Sequence, residues 1–361
     1  MTDPSAVRPA PMEGRGAYNR SSSVQAAGLL PAVALFEEAA KAVALASAPQ
    51  AVVIADYGSS QGHNSLLPVG VAIAALRQRV GRERAICVAH TDLPGNDFSA
   101  LFQVLATDPD SYLRGDSAIF ASAVGRSYFD QILPSESVTL GWSSWAIQWL
   151  SSVPAPIPDQ VQVAYSRDGG AREAYARQAA ADWRAFLAAR SREMRQGARL
   201  VVLTMATDDA GEFGYRPLLE ALFALLEDMT RQGFITSDEL GRMAIPTVAR
   251  SRADFAEPFA DHGRFADLSI ERLEVFHVED RIWSRFEADG DAHAFGAAWA
   301  AFSRASVFPT LAAELRGGQA DPRSAPFVAQ LEAGLAARLA AAPARMTVPL
   351  AQMVLVKNRR L

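Results

Sequence analysis

The spacing of apolar residues predicts strands alternating with helices over the first two thirds of the chain. Between the strands, apolar residues recur every three or four positions from Leu66 to Val80 and again from Glu173 to Gln196, where Gly197 fits a helix C-terminus. Strand-like runs lie at 51–55, 84–91, 118–123, 138–142 and 199–205. This alternation predicts an α/β fold with a mostly parallel sheet covered on both faces.

The last third of the chain has a different pattern. A helix is predicted over 215–232, with further helices to residue 339, a strand-like segment at 268–277 and a final apolar segment at 347–356 that returns to the sheet. We therefore expect four regions along the chain. They are a flexible N-terminal segment at 1–16, an α/β core at 17–207, a mainly helical cap at 208–308 and a C-terminal return to the core at 309–361.

Composition excludes several classes of function. The 361 residues carry a net charge of -5 and no basic block, which argues against a nucleic-acid partner. The N-terminus has no apolar signal core, and no apolar stretch reaches the roughly 18 residues of a membrane span, so we expect a cytoplasmic protein without a membrane partner. The single cysteine excludes an intramolecular disulfide, and no ligand spacing predicts a metal site.

The first chemical motif joins a predicted strand to a predicted helix at 54–64. Gly58 and Gly62 would let a ligand approach the backbone closely. Asp56 ends the first strand and Asp92 follows the second, so both are expected at the edge where open parallel sheets bind ligands. Carboxylates in such places accept hydrogen bonds from ribose hydroxyls. The pair Asp56 and Asp92 therefore predicts a nucleoside ligand.

The glycine motif alone leaves three interpretations. A nicotinamide-binding loop would need glycine where Ser60 stands. The pattern from Gly58 to Gly62 also matches G-x-S-x-G, the nucleophile elbow of α/β-hydrolases, with Ser60 as nucleophile, although only one strand precedes it and no HGGG-type segment lies upstream. The third interpretation is the glycine loop of a methyltransferase. A purely structural turn also stays open at this point.

Two further segments carry a resemblance to a known family. The segments 92–98 and 143–154, taken in order with 18–25 and the glycine loop, resemble the motifs of the plant SABATH methyltransferases, which act on salicylate, benzoate, jasmonate and some purine alkaloids. The match runs from Tyr18 to Pro154 and more loosely to about Val248. It implies a Rossmann-like methyltransferase core, S-adenosyl-L-methionine as methyl donor, a small carboxylic acid as substrate and a homodimer.

The resemblance also implies roles for individual residues. The carboxylate of the substrate would be positioned by Gln25 and Trp149, and no residue would act as acid or base. The residues implied in substrate binding are Tyr18, Gln25, Trp145, Gln148 and Trp149. Those implied in binding the methyl donor are Ser22, Asp56, Gly58, Asn64, Asp92, Leu93, Ser127 and Tyr128. This chain departs from the family pattern at Trp145 and Gln148, which replace tyrosine and methionine, so its acid is expected to differ from the plant ones.

The expected function is formation of methyl esters of small, aromatic or apolar carboxylic acids by in-line methyl transfer. A carboxylate is already ionised at neutral pH, so the reaction needs no general base. Methylation of a ring nitrogen, as in the purine-methylating branch, and ester hydrolysis by Ser60 are the alternatives. The sequence names neither the acid nor the cap residues that contact it.

Overall fold

The computed structural model describes residues 28–358, the side chain at position 319 apart, and is built on a seven-stranded sheet. The strands are β1 (Val52–Tyr57), β2 (Ile86–Asp92), β3 (Ile119–Gly125), β4 (Val138–Ser144), β5 (Met194–Met205), β6 (Leu268–Val278) and β7 (Val348–Lys357). Their order across the sheet is β3-β2-β1-β4-β5-β7-β6. Strands β1 to β5 pair in parallel, and β7 is antiparallel to both β5 and β6. The predicted α/β class with a mostly parallel sheet is confirmed.

Helices cover both faces of this sheet. Within the described range the α-helices are α1 (Leu30–Ala42), α2 (His63–Val80), α3 (Phe98–Thr107), α4 (Gly169–Glu193), α5 (Arg216–Arg231), α6 (Ser237–Arg242), α7 (Arg252–Ala256), α8 (Arg281–Asp289), α9 (Ala292–Ser306), α10 (Phe308–Ala312) and α11 (Ser324–Ala341). Helices α1 and α2 pack on one face of the sheet, and α4 packs on the other. Helix α11 packs against α5 and α9.

The alternation of side chains along the central strands divides the core into two layers. Val201 and Leu203 of β5 point into the layer shared with α1 and α2, whereas Leu200 and Val202 point into the layer shared with α4. All four side chains are fully buried. A strand buried on both faces must be apolar at every position, which explains why these strands appeared as continuous apolar runs.

The helix predicted to end at Gly197 ends earlier in the structure. Helix α4 stops at Glu193, and β5 begins at the next residue, Met194. Gly197 therefore lies inside a strand, and its prediction as a helix C-terminus is wrong. Its φ is +76°, and a Cβ at this position would lie 2.5 Å from the Cβ of Ala44, so glycine is needed for close approach of the neighbouring loop.

The segment at 268–277 is a sheet strand within the region expected to form the cap. As β6 it pairs with β7 along the edge of the sheet. The boundaries of the four predicted regions stay predictions. The flexible segment expected at 1–16 lies outside the described residues. Within 28–358, no helix combines the length and the apolar character that crossing a membrane requires.

Candidate functional site

The carboxyl ends of β1 and β2 bring the two predicted acidic residues to one edge of the sheet. Asp56 is paired with His90 across these strands, two residues before Asp92. The glycine loop that follows β1 turns back on β2, because the N–H groups of Gly58 and Ser59 both donate to the carbonyl of Thr91, at 2.9 and 3.0 Å. The loop and both carboxylates therefore share one surface, as the sequence predicted for a nucleoside site.

Asp92 is held by backbone N–H groups. Its Oδ2 accepts from the N–H of Ser60 and its Oδ1 from the N–H of Leu93, both at 2.7 Å. Burial raises the pKa of Asp92 to about 6, because the two N–H donors only partly offset the desolvation and the negative Asp56 adds to the rise. The carboxylate is thus fixed in place and costly to keep charged without a further donor.

Asp56 is buried and oriented from behind by a chain of hydrogen bonds. Its Oδ2 accepts from the hydroxyl of Ser65 at 2.6 Å and from Nδ1 of His90 at 2.8 Å. Nε2 of His90 lies 2.6 Å from the hydroxyl of Tyr112, so the imidazole links this tyrosine to the carboxylate. These hydrogen bonds restrict rotation of the Asp56 carboxylate.

The segment after β3 forms the third side of the same surface. The N–H of Arg126 donates to the carbonyl of Asp92 at 2.8 Å, which places Ser127 and Tyr128 next to the acidic loop. Ser127 is half-buried, and its Oγ lies 3.3 Å from the N–H of Phe129. Asn64, the second residue of α2, is also half-buried. The structure therefore brings the described donor-binding candidates to one edge of the sheet.

A buried ion pair supports this third side. Arg190 and Glu193 are both fully buried at the end of α4, 2.8 Å apart. Arg190 donates to the carbonyl of Tyr128 at 2.6 Å, and Glu193 accepts from the hydroxyl of Tyr57 at 2.7 Å. No feature of the sequence indicated this role, since two charges three residues apart on a helix are typical of an exposed face. Only their burial identifies them as supports of the loop.

The glycine loop carries buried polar atoms that a nucleoside donor could pair with. The hydroxyl oxygens of Ser59 and Ser60 are buried and have no hydrogen-bond partner in the described part of the chain. Buried hydroxyls without partners are rare unless a ligand or water completes them. Gly58 has φ +87°, and a Cβ there would lie 2.4 Å from the Cβ of Ala146. S-adenosyl-L-methionine, with ribose hydroxyls and an ammonium group, fits this combination of carboxylates and open hydroxyls.

The hydrolase interpretation of Ser60 lacks a base. Among the described histidines, His90 is engaged by Asp56 and Tyr112, and His63 faces Asp108 at 3.4 Å. No described histidine is hydrogen-bonded to Ser60, which a serine nucleophile would need. The described residues also contain no group of three or more His, Cys, Asp or Glu side chains that could hold a metal ion.

A cavity of about 70 Å³ lies beside the glycine loop, and three predicted substrate residues line it together. These are Trp145, Gln148 and Trp149; Tyr18, Ser22 and Gln25 lie outside the described residues. The other lining residues are Gln162, Met205, Phe213, Tyr215, Leu218, Leu219, Ile245, Thr247, Phe302, Ser303, Ser306 and Val307. None of these described lining residues carries a charge, so the wall offers only apolar contacts and neutral hydrogen bonds.

The turn after β4 shapes one wall of the cavity. Trp145 has φ +53°, and its carbonyl accepts from Nε2 of Gln148 at 2.7 Å. Oε1 of Gln148 accepts from Thr204 at 3.0 Å, so this amide mainly fixes the wall. Trp149 is half-buried, and its indole N–H has no acceptor among residues 28–358. Trp149 therefore lines the cavity without an acceptor for its indole N–H in the described range, and its contact with a substrate carboxylate stays a prediction.

Arg250 holds the same turn from the opposite side. It is buried and donates to the carbonyl of Ile147 at 2.7 Å and to that of Ala179 at 2.9 Å. Burial lowers the pKa of Arg250 to about 10, while the negative charge of Asp182 opposes this change.

The residues on the cap side of the cavity were not predicted from the sequence. The only signal for that side was the helix predicted over 215–232, whose apolar residue Leu218 lines the cavity.

Comparisons with known proteins show the family to which the chain belongs. A family model described as SAM dependent carboxyl methyltransferase matches residues 8–346. The chain is 28% identical over 276 residues to Methyltransferase FUS9 of Gibberella fujikuroi, covering 74% of each protein. It is 28% identical over 250 residues to salicylate carboxymethyltransferase of Clarkia breweri, covering 66% of this chain and 67% of the relative. It shares the fold of loganic acid methyltransferase with SAH, with a TM-score of 0.74 at 21% identity, over 97% of this chain and 99% of the other.

Proposed function

Because the chain belongs to the family of SAM-dependent carboxyl methyltransferases, we propose that it forms methyl esters of small aromatic or apolar carboxylic acids. The family membership agrees with the SABATH resemblance of the sequence motifs. The donor-binding role is proposed for Ser22, Asp56, Gly58, Asn64, Asp92, Leu93, Ser127 and Tyr128. The substrate-binding role is proposed for Tyr18, Gln25, Trp145, Gln148 and Trp149.

One contact carries the proposal. Gly58 of the donor loop packs directly against Ala146. In the sequence, Ala146 lies between Trp145 and Gln148, and these two residues line the cavity. Tyr128, on the third side of the donor surface, donates to the carbonyl of the same Ala146 at 2.8 Å. The donor surface and the cavity therefore adjoin each other at the turn that contains Ala146, which supports direct methyl transfer between ligands bound at the two places.

The neutral lining of the cavity suits a carboxylate nucleophile. Bound S-adenosyl-L-methionine supplies an electrophilic methyl group on a sulfonium. A carboxylate needs no proton removed, so the cavity can act by orientation and exclusion of water alone. The Trp149 N–H, together with the Gln25 amide, would hold the substrate carboxylate. Neutral donors fix the carboxylate without neutralising it, whereas an arginine would reduce its nucleophilicity.

The size and composition of the cavity favour a small, largely apolar acid. Its volume is about 70 Å³, and most of the wall is formed by aromatic and aliphatic side chains such as Phe213, Leu219 and Phe302. The relative from Clarkia breweri is named for salicylate, an aromatic carboxylic acid. We infer a related class of acid for this chain.

The test is transfer of a labelled methyl group to a panel of carboxylic acids by the purified full chain. Trp149→Phe removes one donor to a charged group, worth about 1.5–3 kcal/mol, so kcat/KM should fall by roughly 10- to 100-fold while affinity for S-adenosylhomocysteine stays unchanged. Gln25→Ala should behave alike. Trp283→Phe, a half-buried tryptophan of α8 outside the cavity, is the matched control.

Two outcomes would contradict the proposal. Turnover with N-heterocycles alone would move the enzyme to nitrogen methylation, and unchanged kcat/KM in both Trp149→Phe and Gln25→Ala would reject the carboxylate-binding roles. The homodimer and the cytoplasmic location are further parts of the proposal that rest on the sequence. Sedimentation velocity of the purified protein should give the mass of two chains, and cell fractionation should recover the protein with cytoplasmic markers.

A further inference from the structure

Tyr215 has a buried hydroxyl that the protein does not satisfy. The side chain lines the substrate cavity, is only 5% exposed, and its hydroxyl oxygen has no hydrogen-bond partner within the part of the chain that the structure describes. A buried hydroxyl without a partner loses its hydration and gains nothing in exchange. A ligand that enters the cavity with a polar atom would supply the missing partner.

The backbone of Tyr215 is held in an unfavourable conformation. Its φ is +60°, in the left-handed region that bulky residues seldom occupy. The preceding residue, Gly214, imposes this geometry: its carbonyl accepts from Tyr165 at 2.7 Å, its N–H donates to Glu212 at 3.1 Å, and a Cβ on it would lie 2.2 Å from the carbonyl oxygen of Thr347. Such strain is concentrated at binding sites.

Two aromatic neighbours fix the ring. It stacks on Phe302, with centroids 5.7 Å apart, and meets Trp299 edge-on at 5.9 Å. Nε1 of Trp299 is a second buried donor without a partner among the described residues. Unsatisfied buried donors are uncommon, so the hydroxyl of Tyr215, whose side chain lines the cavity, is a candidate partner for a bound acceptor atom.

The charge near Tyr215 selects the kind of acceptor. Burial and the negative charge of Asp280 both raise the pKa of Tyr215, so its phenol stays protonated. Asp280 is itself buried, and its two oxygens accept from the N–H groups of Trp283 and Met346, both at 2.9 Å. A second carboxylate on the substrate would be repelled here. A neutral oxygen would be accepted.

Other polar groups of the wall are already engaged. The hydroxyl of Ser303 donates to the carbonyl of Trp299 at 3.0 Å, and that of Ser306 donates to Phe302 at 2.8 Å. Nε2 of Gln162 donates to Thr247 at 2.7 Å. Among the described hydroxyl groups on the cap side, that of Tyr215 is therefore the best able to form a hydrogen bond with a substrate group.

We propose that the substrate acid carries a neutral oxygen, a carbonyl or hydroxyl, remote from its carboxylate, and that the hydroxyl of Tyr215 pairs with this oxygen. The inference rests on the proposed function, because it concerns the acid that occupies the same cavity. It makes Tyr215 a specificity-determining residue of the methyl transfer. The enzyme then prefers an oxygenated acid over the hydrocarbon analogue of the same shape.

The experiment compares matched acids in wild type and Tyr215→Phe. The pairs are para-hydroxybenzoate with para-methylbenzoate, and the corresponding hydroxy and methyl forms of phenylacetate and cinnamate. Loss of a neutral hydrogen bond should lower kcat/KM for the preferred hydroxy acid by about 10-fold and leave the methyl acid unchanged. Calorimetric affinity for the same acids in the presence of S-adenosylhomocysteine should change in parallel.

The control is Tyr175→Phe. The hydroxyl of Tyr175 is also buried without a partner in the described range, but the ring packs with Leu150 and Val163 in a separate cluster outside the cavity. It should leave both acids unaffected. Thermal melting should show that both variants are folded, because each loses one oxygen and keeps its ring.

The possible failures are distinguishable. Equal loss for hydroxy and methyl acids in Tyr215→Phe, or no preference between them in wild type, would overturn the role of Tyr215 and leave the methyltransferase proposal standing. Absence of methyl transfer to every acid of the panel would overturn the proposed function and the inference with it.

Discussion

The protonation of Asp92 should control affinity for the methyl donor. Its pKa lies at about 6 because of burial, and the proposed contact with ribose hydroxyls requires the ionised carboxylate. Protonation therefore competes with binding. The pKa of Asp92 is about 6 in the free protein and should be lower in the complex with the donor. The dissociation constant of the donor should therefore be constant above pH 7 and about 10-fold larger at pH 5.

The stability of the free protein should respond to Asp92 in the opposite direction. The folded chain holds the proton of Asp92 more tightly than the unfolded chain, whose carboxyl titrates near the ordinary value of about 3.9. The contribution of this group to stability is therefore fully present below about pH 4 and lost as the pH rises through about 6. A loss of affinity below pH 6 would thus not arise from unfolding at this site.

The assay is calorimetry with methylthioadenosine, which has the ribose and the base without the titrating amino-acid end. Asp92→Asn should bind weakly at pH 7 and show no further loss at pH 5. Asp110→Asn, which changes an exposed carboxyl, is the matched control and should follow wild type. Equal dissociation constants at pH 5 and pH 7 in wild type, or the wild-type slope in Asp92→Asn, would refute the assignment.

Two further variants test the supports of the donor surface. Gly58→Ala adds a methyl group against Ala146 at a positive φ and should lower the unfolding free energy by about 2–4 kcal/mol in urea melts. Gly290→Ala, at φ +68° in the left-handed helical region with open space around it, should lose only about 1 kcal/mol. Arg190→Met leaves Glu193 buried without its partner and should lose about 3–5 kcal/mol, and pairing it with Glu193→Gln should restore part of that loss. Equal unfolding free energies for the two glycine variants, or for Arg190→Met with and without Glu193→Gln, would contradict these expectations.

The parts of the fold that could be predicted are those whose sequence pattern is typical of only one kind of element. A strand buried on both faces must be apolar throughout, so β1, β4 and β5 could be recognised without a structure. The start of β5 could not, because Arg195, Gln196 and Gly197 are polar or small and follow a helix without a break. At the end of α4, Arg190 and Glu193 point into the protein. Their burial could not be predicted without knowing the position of the loop that they contact.

The site shows the same division. Asp56 and Asp92 each follow a strand, so local sequence and the rule for parallel sheets placed both at one edge. The opposite wall of the cavity comes from residues 205–307, where an apolar side chain can line a cavity or fill a core with the same spacing. Leu218 and Leu222 lie one turn apart on α5, yet only Leu218 lines the cavity. Tyr215 carried no motif, and its role depends on the unpaired hydroxyl.

The distribution of charge links the two halves of the site. Carboxylates are gathered on the donor side, at Asp56 and Asp92, and the described wall of the cavity has none. A donor that carries a sulfonium and an ammonium is favoured by negative charge, whereas a carboxylate nucleophile would be repelled by it. Gly58 and Ala146 pack together at the place where these two environments adjoin. Reactivity then depends on how the neutral donors orient the acid toward the methyl group of the donor, which is why the hydroxyl of Tyr215 bears on substrate choice.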